Sequence, residues 1–340
     1  MLLHHPVGHM LVIGKAAKKM INPFLSQAQD LAVDGVLHCN YKQTGTVSGR
    51  FSSSEPNLQN IPVEGERFSH WTEEEADEAE ELTGYAFSPH IKRIFLVRPG
   101  YVHIHMDKQQ AEMYALGHYS KDTHLISLLR EGSVHDGICR LLFGEVTKGL
   151  KQRGKALTFG YQYGCGLLTT AKKIKGSIHE ARALRNRYGH IFPKLPEWRS
   201  ALENQITDRG YVQTDHGRRH YLRKDEAYMT VNRICQGHIA DELKGCMVRI
   251  GEWLDTWQVF DTRILLNIHD ELVIECPEKH LPILGPKLFE LMTQSDIKHE
   301  VPIPCEMEIT RTTWSDIHKV ENPYDPATYW QPAKHAAAAV

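Results

Sequence analysis

The 340-residue chain has no CxxC pair, no apolar run of membrane-spanning length, no internal repeat and almost no net charge. Its seven cysteines, Cys39, Cys139, Cys165, Cys235, Cys246, Cys276 and Cys305, stand singly. That scatter argues against a zinc knuckle and fits a reducing compartment. The opening "MLLHHPVGHMLVIGKAAKKM" has no small-residue cleavage site behind an apolar core. Together with the missing spans, it gives the expectation of a cytoplasmic protein with no membrane partner. A formal charge of −2 carries no electrostatic sign of a polyanion-binding surface.

That near-neutrality is an average of unlike parts. The segment 64–82, "EGERFSHWTEEEADEAEEL", holds nine acidic residues and one Arg, a charge of −8, so the rest of the chain carries +6. Such a run is ordinarily a solvated helix or mobile loop. Apolar content of 41% and charged content of 24% are those of a globular protein with ample material for a core. The pattern predicts a helix over about 8–31, then the polar, Ser-rich "QTGTVSGRFSSSEPNLQNIP" and the acidic segment. Strand material follows in "HIKRIFLVRPGYVHIHMD", broken by a turn at Pro99 and Gly100. Helical patterns run from "QQAEMYALGHYS" through "SIHEARALRNRYGHIF". A hairpin turns at 215–217, and a long helix follows with apolar Met229, Ile234, Ile239 and Met247. Strands around 265–276, a helix at about 280–295 and a last strand "PCEMEIT" complete the order. A helical insertion threaded between strands of one sheet is an α+β arrangement.

Three stretches carry chemistry. In "LLNIHDELVIEC", His269, Asp270 and Glu271 interrupt two apolar runs. An ordinary surface turn and a strand-end carboxylate facing a cleft account equally for that stretch, although the triplet has none of the usual Gly, Asn or Pro turn residues. Asp107 ends the strand "YVHIHMD", where Asp taken alone reads as a helix N-cap. If the two strands are neighbours, Asp107 and Asp270 make an oxygen-rich site for a hard divalent ion such as Mg2+. In "KQRGKALTFGYQYG", Lys151, Lys155, Phe159 and Tyr163 recur every four residues. On a helix this is one stripe of two cations and two rings, suited to a nucleoside triphosphate, with aromatic core and solvated lysine stems as the alternative.

These stretches and their order resemble the polymerase portion of the DNA polymerase I family (family A), from about residue 30 to about 318. "TVSGRFSSSEPNLQNIP" resembles the family's template-primer stretch, "DKQQAEM" its motif A and "KQRGKALTFGYQYG" its motif B; "NRICQGHIAD" and "IHDELVIE" resemble its remaining signatures. The resemblance implies a right-hand fold, with an antiparallel palm sheet, inserted helical fingers and a much reduced thumb. The implied parts are a thumb remnant at 1–40, palm at 41–118 with an acidic insertion at 64–90, fingers at 119–210, palm again at 211–320 and a tail at 321–340. It implies two Mg2+ ions on Asp107, Asp270 and the carbonyl of Met106, with Glu271 in support. His135, Lys151 and Lys155 would grip a dNTP, Phe159 would pack on it, Tyr163 and Glu112 would close the sugar 2′ position, and Gln110 would lie nearby. Arg50, Asn57, Gln59, Asn232, Gln236 and His269 would touch primer-template DNA.

The chain departs from the family pattern at Lys151, which stands for an Arg and loses its bidentate fork. Lys108, Gln109, Tyr114 and Tyr228 also stand where the family has other residues. The resemblance implies a DNA-templated DNA polymerase without exonuclease domains, either a minimal, viral-type enzyme or a fragment. Two alternatives stay open, a single-subunit RNA polymerase-like enzyme and a decayed polymerase that only binds primer-template. A processivity or replication protein is a further partner the reading leaves room for, and the oligomeric state is open.

Overall fold

The structure is a computed structural model that describes residues 21–61, 91–256 and 261–330. The acidic segment and the N-terminal part of the first expected helix lie outside the described residues. Within them, a π-helical turn Ile21–Ser26 leads into α1 (Gln27–Leu31). A hairpin of β1 (Asn40–Lys42) and β2 (Ser52–Ser54) follows. The strand expected from residue 90 onward begins only at β3 (Tyr101–Lys108). Residues Ile91–Ile94 form a 3-10 turn instead. Their β-branched composition finds no ladder, only a single bridge from Leu96 to Thr313, and Ile91 packs with Leu58, Ile61 and Trp314.

After β3 the chain leaves the sheet for seven helices: α2 (Ala111–Ser120), α3 (Thr123–Arg130), α4 (Val134–Phe143), α5 (Lys148–Gln162), α6 (Leu167–Lys173), α7 (Ile178–Ile191) and α8 (Lys194–Arg209). Local sequence starts several of them. Asp122 accepts from the amides of His124 and Leu125, Thr147 from Leu150 and Ser177 from Glu180, each satisfying orphan N–H groups of a first turn. The hairpin β4 (Tyr211–Gln213) and β5 (Arg219–Tyr221) leads to the long helix α9 (Thr230–Asp255). Met229 falls just before α9, in a 3-10 turn; Ile234 and Ile239 are buried.

The remaining elements are β6 (Arg263–Ile268), β7 (Glu271–Pro277), α10 (Leu281–Thr293), β8 (Cys305–Thr310) and β9 (His318–Lys319). The sheet order is β6-β7-β3-β8-β9, every pair antiparallel. Strand alternation gives this sheet two unlike faces. Val102, Ile104 and Met106 of β3, Leu272, Ile274 and Cys276 of β7, and Met307 and Ile309 of β8 form one core with α9 and α10. The opposite face carries His103, His105 and Asp107, with Glu271 and Glu275 on β7 and Glu306 and Glu308 on β8 directly across from them. A second core joins the inserted helices to α9. No helix among the described residues is long and apolar enough to cross a membrane.

Candidate active site

Asp107 is the next-to-last residue of the central strand, paired with Glu271 on one side and Glu306 on the other. It is a strand residue; the N-cap position of α2 is held by Gln110, in the left-handed conformation at φ 51°. The β6–β7 connection is a two-residue turn of His269 and Asp270, closing on the pair Ile268–Glu271. His269 takes the left-handed conformation at φ 59°, which a turn this tight requires and which Gly or Asn would ordinarily supply. The turn brings Asp270 beside Asp107. Lys108 donates its amide to the Asp270 carbonyl at 3.2 Å.

That bond fixes the ladder's phase. The Lys108 amide points at β7, and backbone groups two residues along an antiparallel strand point the same way, so Met106 and Leu272 form a hydrogen-bonded pair. The Met106 carbonyl therefore faces Leu272 inside the sheet, which corrects its expected role as a metal ligand.

The carboxylates crowd one another. Burial, then the charges of Asp270, Glu271, Glu306 and Glu308, push the Asp107 carboxyl up to about 7. Asp270 is also raised, chiefly by burial, with Arg50 pulling it back. Gln109 donates to Asp107 at 2.7 Å, and His105 Nδ1 lies 2.6 Å from Glu271 Oε1. This is a donor set of oxygens whose charges are under-compensated by the chain itself. It fits a hard divalent cation, for which the resident charge is an advantage.

A second carboxylate gathers four distant segments. Glu112 Oε1 accepts from Arg50 at 3.1 Å and from Gln236 at 3.2 Å, while Oε2 accepts from Tyr163 Oη at 3.3 Å. Gln162 donates to the Glu112 carbonyl at 3.3 Å. The template-primer-like stretch, the start of α2, the end of α5 and α9 thus meet at one side chain. Tyr163 is the C-cap of α5, and Gly164 follows at φ 66° with its amide on Tyr161 and the Cys165 amide on Gly160. That pair of bonds is a Schellman ending, and it aims Tyr163 at Glu112.

Along α5 the stripe of four forms as expected. The Phe159 and Tyr163 rings lie 6.3 Å apart, and His135 of α4 lies 6.1 Å from Phe159. Lys155 is exposed, and Lys151 pairs with Asp136 at 2.6 Å. Burial first, then Lys155 and Lys151, hold His135 down at about 4, so its imidazole is neutral at neutral pH. Gln59 is buried and donates to the Asn267 carbonyl at 3.1 Å, just ahead of the turn that holds Asp270. Tyr41 reaches the same carbonyl at 3.0 Å. Asn57 accepts from Ser53 at 2.9 Å, and Asn232 is buried with Nδ2 unbonded.

Sequence reasoning missed Glu306 and Glu308. The alternation in "CEMEIT" was the available signal, since it sets both on the face opposite Met307. It also missed Gln109 and the buried Lys108, whose Nζ donates to the Met292 carbonyl at 3.1 Å on the other face of the sheet.

The chain was compared with known proteins. The family model described as DNA polymerase family A matches residues 2–316. The thermostable DNA polymerase I of Thermus aquaticus is 29% identical over 325 residues, covering 90% of this chain and 36% of the relative. DNA polymerase I of Pseudomonas aeruginosa is 30% identical over 302 residues, covering 84% of this chain and 30% of the relative. The chain thus spans about a third of the length of these curated relatives. Among solved structures, the POL domain of Pol1 from M. smegmatis, in complex with DNA primer-template and dNTP, matches with a TM-score of 0.78 and 28% identity. That match covers 92% of this chain and 54% of the other. With a sheet carrying paired aspartates, an inserted helical stripe of cations and rings, and a family match over nearly all its length, the chain belongs to DNA polymerase family A.

Proposed function

We propose that this chain is a DNA-templated DNA polymerase that extends a primer 3′ end with dNTPs, in a cytoplasmic setting. The observation that carries the reading is the convergence of Asp107 and Asp270 at the end of β3, facing the α5 stripe across the Glu112 hub. Primer-template DNA and dNTP accompany the Pol1 relative, and the same ligands suit the groups present here.

Asp107 and Asp270 would hold two Mg2+ ions, with the Lys108 carbonyl replacing that of Met106 because it lies at the ladder's free end. Bound there, the ions would supply Lewis-acid stabilisation of charge on the phosphoryl oxygens. The chain's own groups do the positioning. Lys155 and Lys151 neutralise triphosphate charge, the second after exchanging Asp136 for phosphate. His135, neutral in the ligand-free chain, donates a hydrogen bond to a phosphate oxygen. Phe159 offers its face to the nucleotide, with Gln110 nearby, and Glu112 with Tyr163 narrows the space at the sugar 2′ carbon. Arg50 and Gln236, held by Glu112, can probe minor-groove acceptors that all correct base pairs share, a sequence-blind check. Asn57, Gln59, Asn232 and His269 surround the same end of the sheet and would line the primer-template path. His105 orients Glu271, which supports the aspartates rather than binding first.

A primer-extension assay with dNTPs or NTPs and Mg2+ tests the proposal and separates it from an RNA polymerase-like enzyme or a binding-only protein. We expect extension with dNTPs, and its loss by at least roughly a thousandfold in Asp107→Ala and in Asp270→Ala, with duplex affinity within a few-fold of wild type. Near wild-type extension by either variant would sink the assignment.

A further inference from the structure

On the side of the sheet away from the paired aspartates, a second cluster of ligating groups comes together from three separate segments. His216 lies in the β4–β5 turn, His238 and Glu242 are one helical turn apart on α9, and His299 lies in the loop after α10. His216 Nε2 is 3.1 Å from Glu242 Oε1, and His238 Nε2 is 2.8 Å from His299 Nε2. His299 Nε2 is also 3.7 Å from Glu242 Oε1. The ligand atoms of His216, His238 and Glu242 all lie within 4.8 Å of one another. Tetrahedral zinc with N and O ligands at its usual bond lengths sets ligand atoms roughly 3.3 Å apart, close to these spacings.

The cluster is built rather than accidental. His238 is buried, and the Glu242 side chain is 1% exposed with Oε2 lacking any hydrogen bond. Lys108 Nζ approaches that oxygen only to 4.0 Å. The Tyr119 hydroxyl lies 3.0 Å from His238 Nδ1 and accepts from the Asp215 amide at 2.9 Å. An oxygen so held can take the Nδ1 proton of His238, which leaves Nε2 free to ligate, the outer-shell arrangement typical of metal-bound histidine. A cavity of about 360 Å3, lined by Lys108, Glu242, Ser295 and His299 among others, gives an ion access.

We propose that His216, His238 and Glu242, with His299 as fourth ligand, form a structural zinc site that ties the β4–β5 hairpin and the loop after α10 to the long helix α9. The site uses no cysteine and shares no ligand with the aspartate pair. Three imidazoles and one carboxylate suit zinc rather than Mg2+, whose octahedral oxygen shell this cluster cannot supply.

The test is metal analysis of the full chain, purified without a histidine tag and dialysed against metal-free buffer after exposure to zinc. We expect about one zinc per chain. Replacing zinc by cobalt should give the intense visible absorption of a tetrahedral ion, a readout that needs no variant. Zinc should raise the unfolding temperature, and His216→Gln, His299→Asn and Glu242→Gln should each abolish that rise. Tyr119→Phe should weaken zinc roughly 10- to 100-fold through His238. Asp107→Asn should keep its zinc. No retained zinc and no tetrahedral cobalt spectrum would overturn the site, as would zinc lost in Asp107→Asn but kept in the histidine variants, which would assign the ion to the aspartate pair.

Discussion

Glu112 carries more of the site than its place in one helix suggests. Its two oxygens hold Arg50, Gln236 and Tyr163, and the Glu112 and Arg50 side chains are only 15% and 20% exposed. Glu112→Ala leaves three donors without their shared acceptor, at a cost of about 1–3 kcal/mol in unfolding free energy. It also opens space at the sugar, so ribonucleotide use relative to dNTP should rise roughly tenfold or more in competition assays. An unchanged preference would move the sugar filter elsewhere. His135 supplies a pH dependence of known sign. Its folded value, near 4, lies below the ordinary 6.5, so its contribution to stability is present above pH 6.5 and is lost as pH falls through 4. Thermal unfolding of the ligand-free chain between pH 7 and pH 4 should show this loss, and His135→Gln should flatten that part of the profile. A triphosphate at the site should oppose the loss by favouring the imidazolium.

At the scale of elements, the α5 ending decides where the stripe points. Gly164 has φ 66°, and a Cβ there would meet the Tyr228 carbonyl at 2.5 Å, so both conformation and space exclude a side chain. Gly164→Ala should cost about 1–3 kcal/mol and displace Tyr163 from Glu112. Gly149, in the first turn of the same helix, has open space around its Cβ position. Gly149→Ala should be neutral or stabilising by up to about 1 kcal/mol through helix propensity. Urea unfolding of the two variants side by side checks both. Equal effects would mean that the helix ending is not what holds α5 in place. The docking of residues 40–61 onto the sheet is a similar element-level device, in which Tyr41 and Gln59 both bond to the Asn267 carbonyl two residues before the His269 turn.

For the whole molecule, charge is the property that matters most to DNA. Segment 64–82 carries −8 against +6 for the rest. Each phosphate contact releases counterions, so affinity for a duplex should fall steeply with salt. Deleting residues 64–82 should tighten duplex binding at low salt and steepen its salt dependence, because it removes a −8 segment of the same sign as the phosphates and leaves a chain of +6. Titration of a fluorescent primer-template at several salt concentrations reads both quantities. Weaker binding by the deletion variant would give the segment a direct part in holding DNA.

Much of this site is legible in the sequence because it depends on local spacing. A period of four on α5 and carboxylates at strand ends carry the aspartates, the stripe and the family resemblance, since helix and strand periodicity are properties of neighbouring residues. Which strands become neighbours is another matter. Only the antiparallel register sets Glu271 and Glu306 against Asp107, and only that register encloses the Met106 carbonyl in the ladder. The 3-10 turn at Ile91–Ile94 has strand-like residues but no partner strand, and backbone pairing needs a partner that composition does not specify. The meeting of Arg50, Gln236 and Tyr163 on Glu112, and of His216, His238, His299 and Glu242, joins residues up to 124 positions apart. Such contacts exist only once the chain has folded, because their distances are set by packing between elements and not by the order of residues along them.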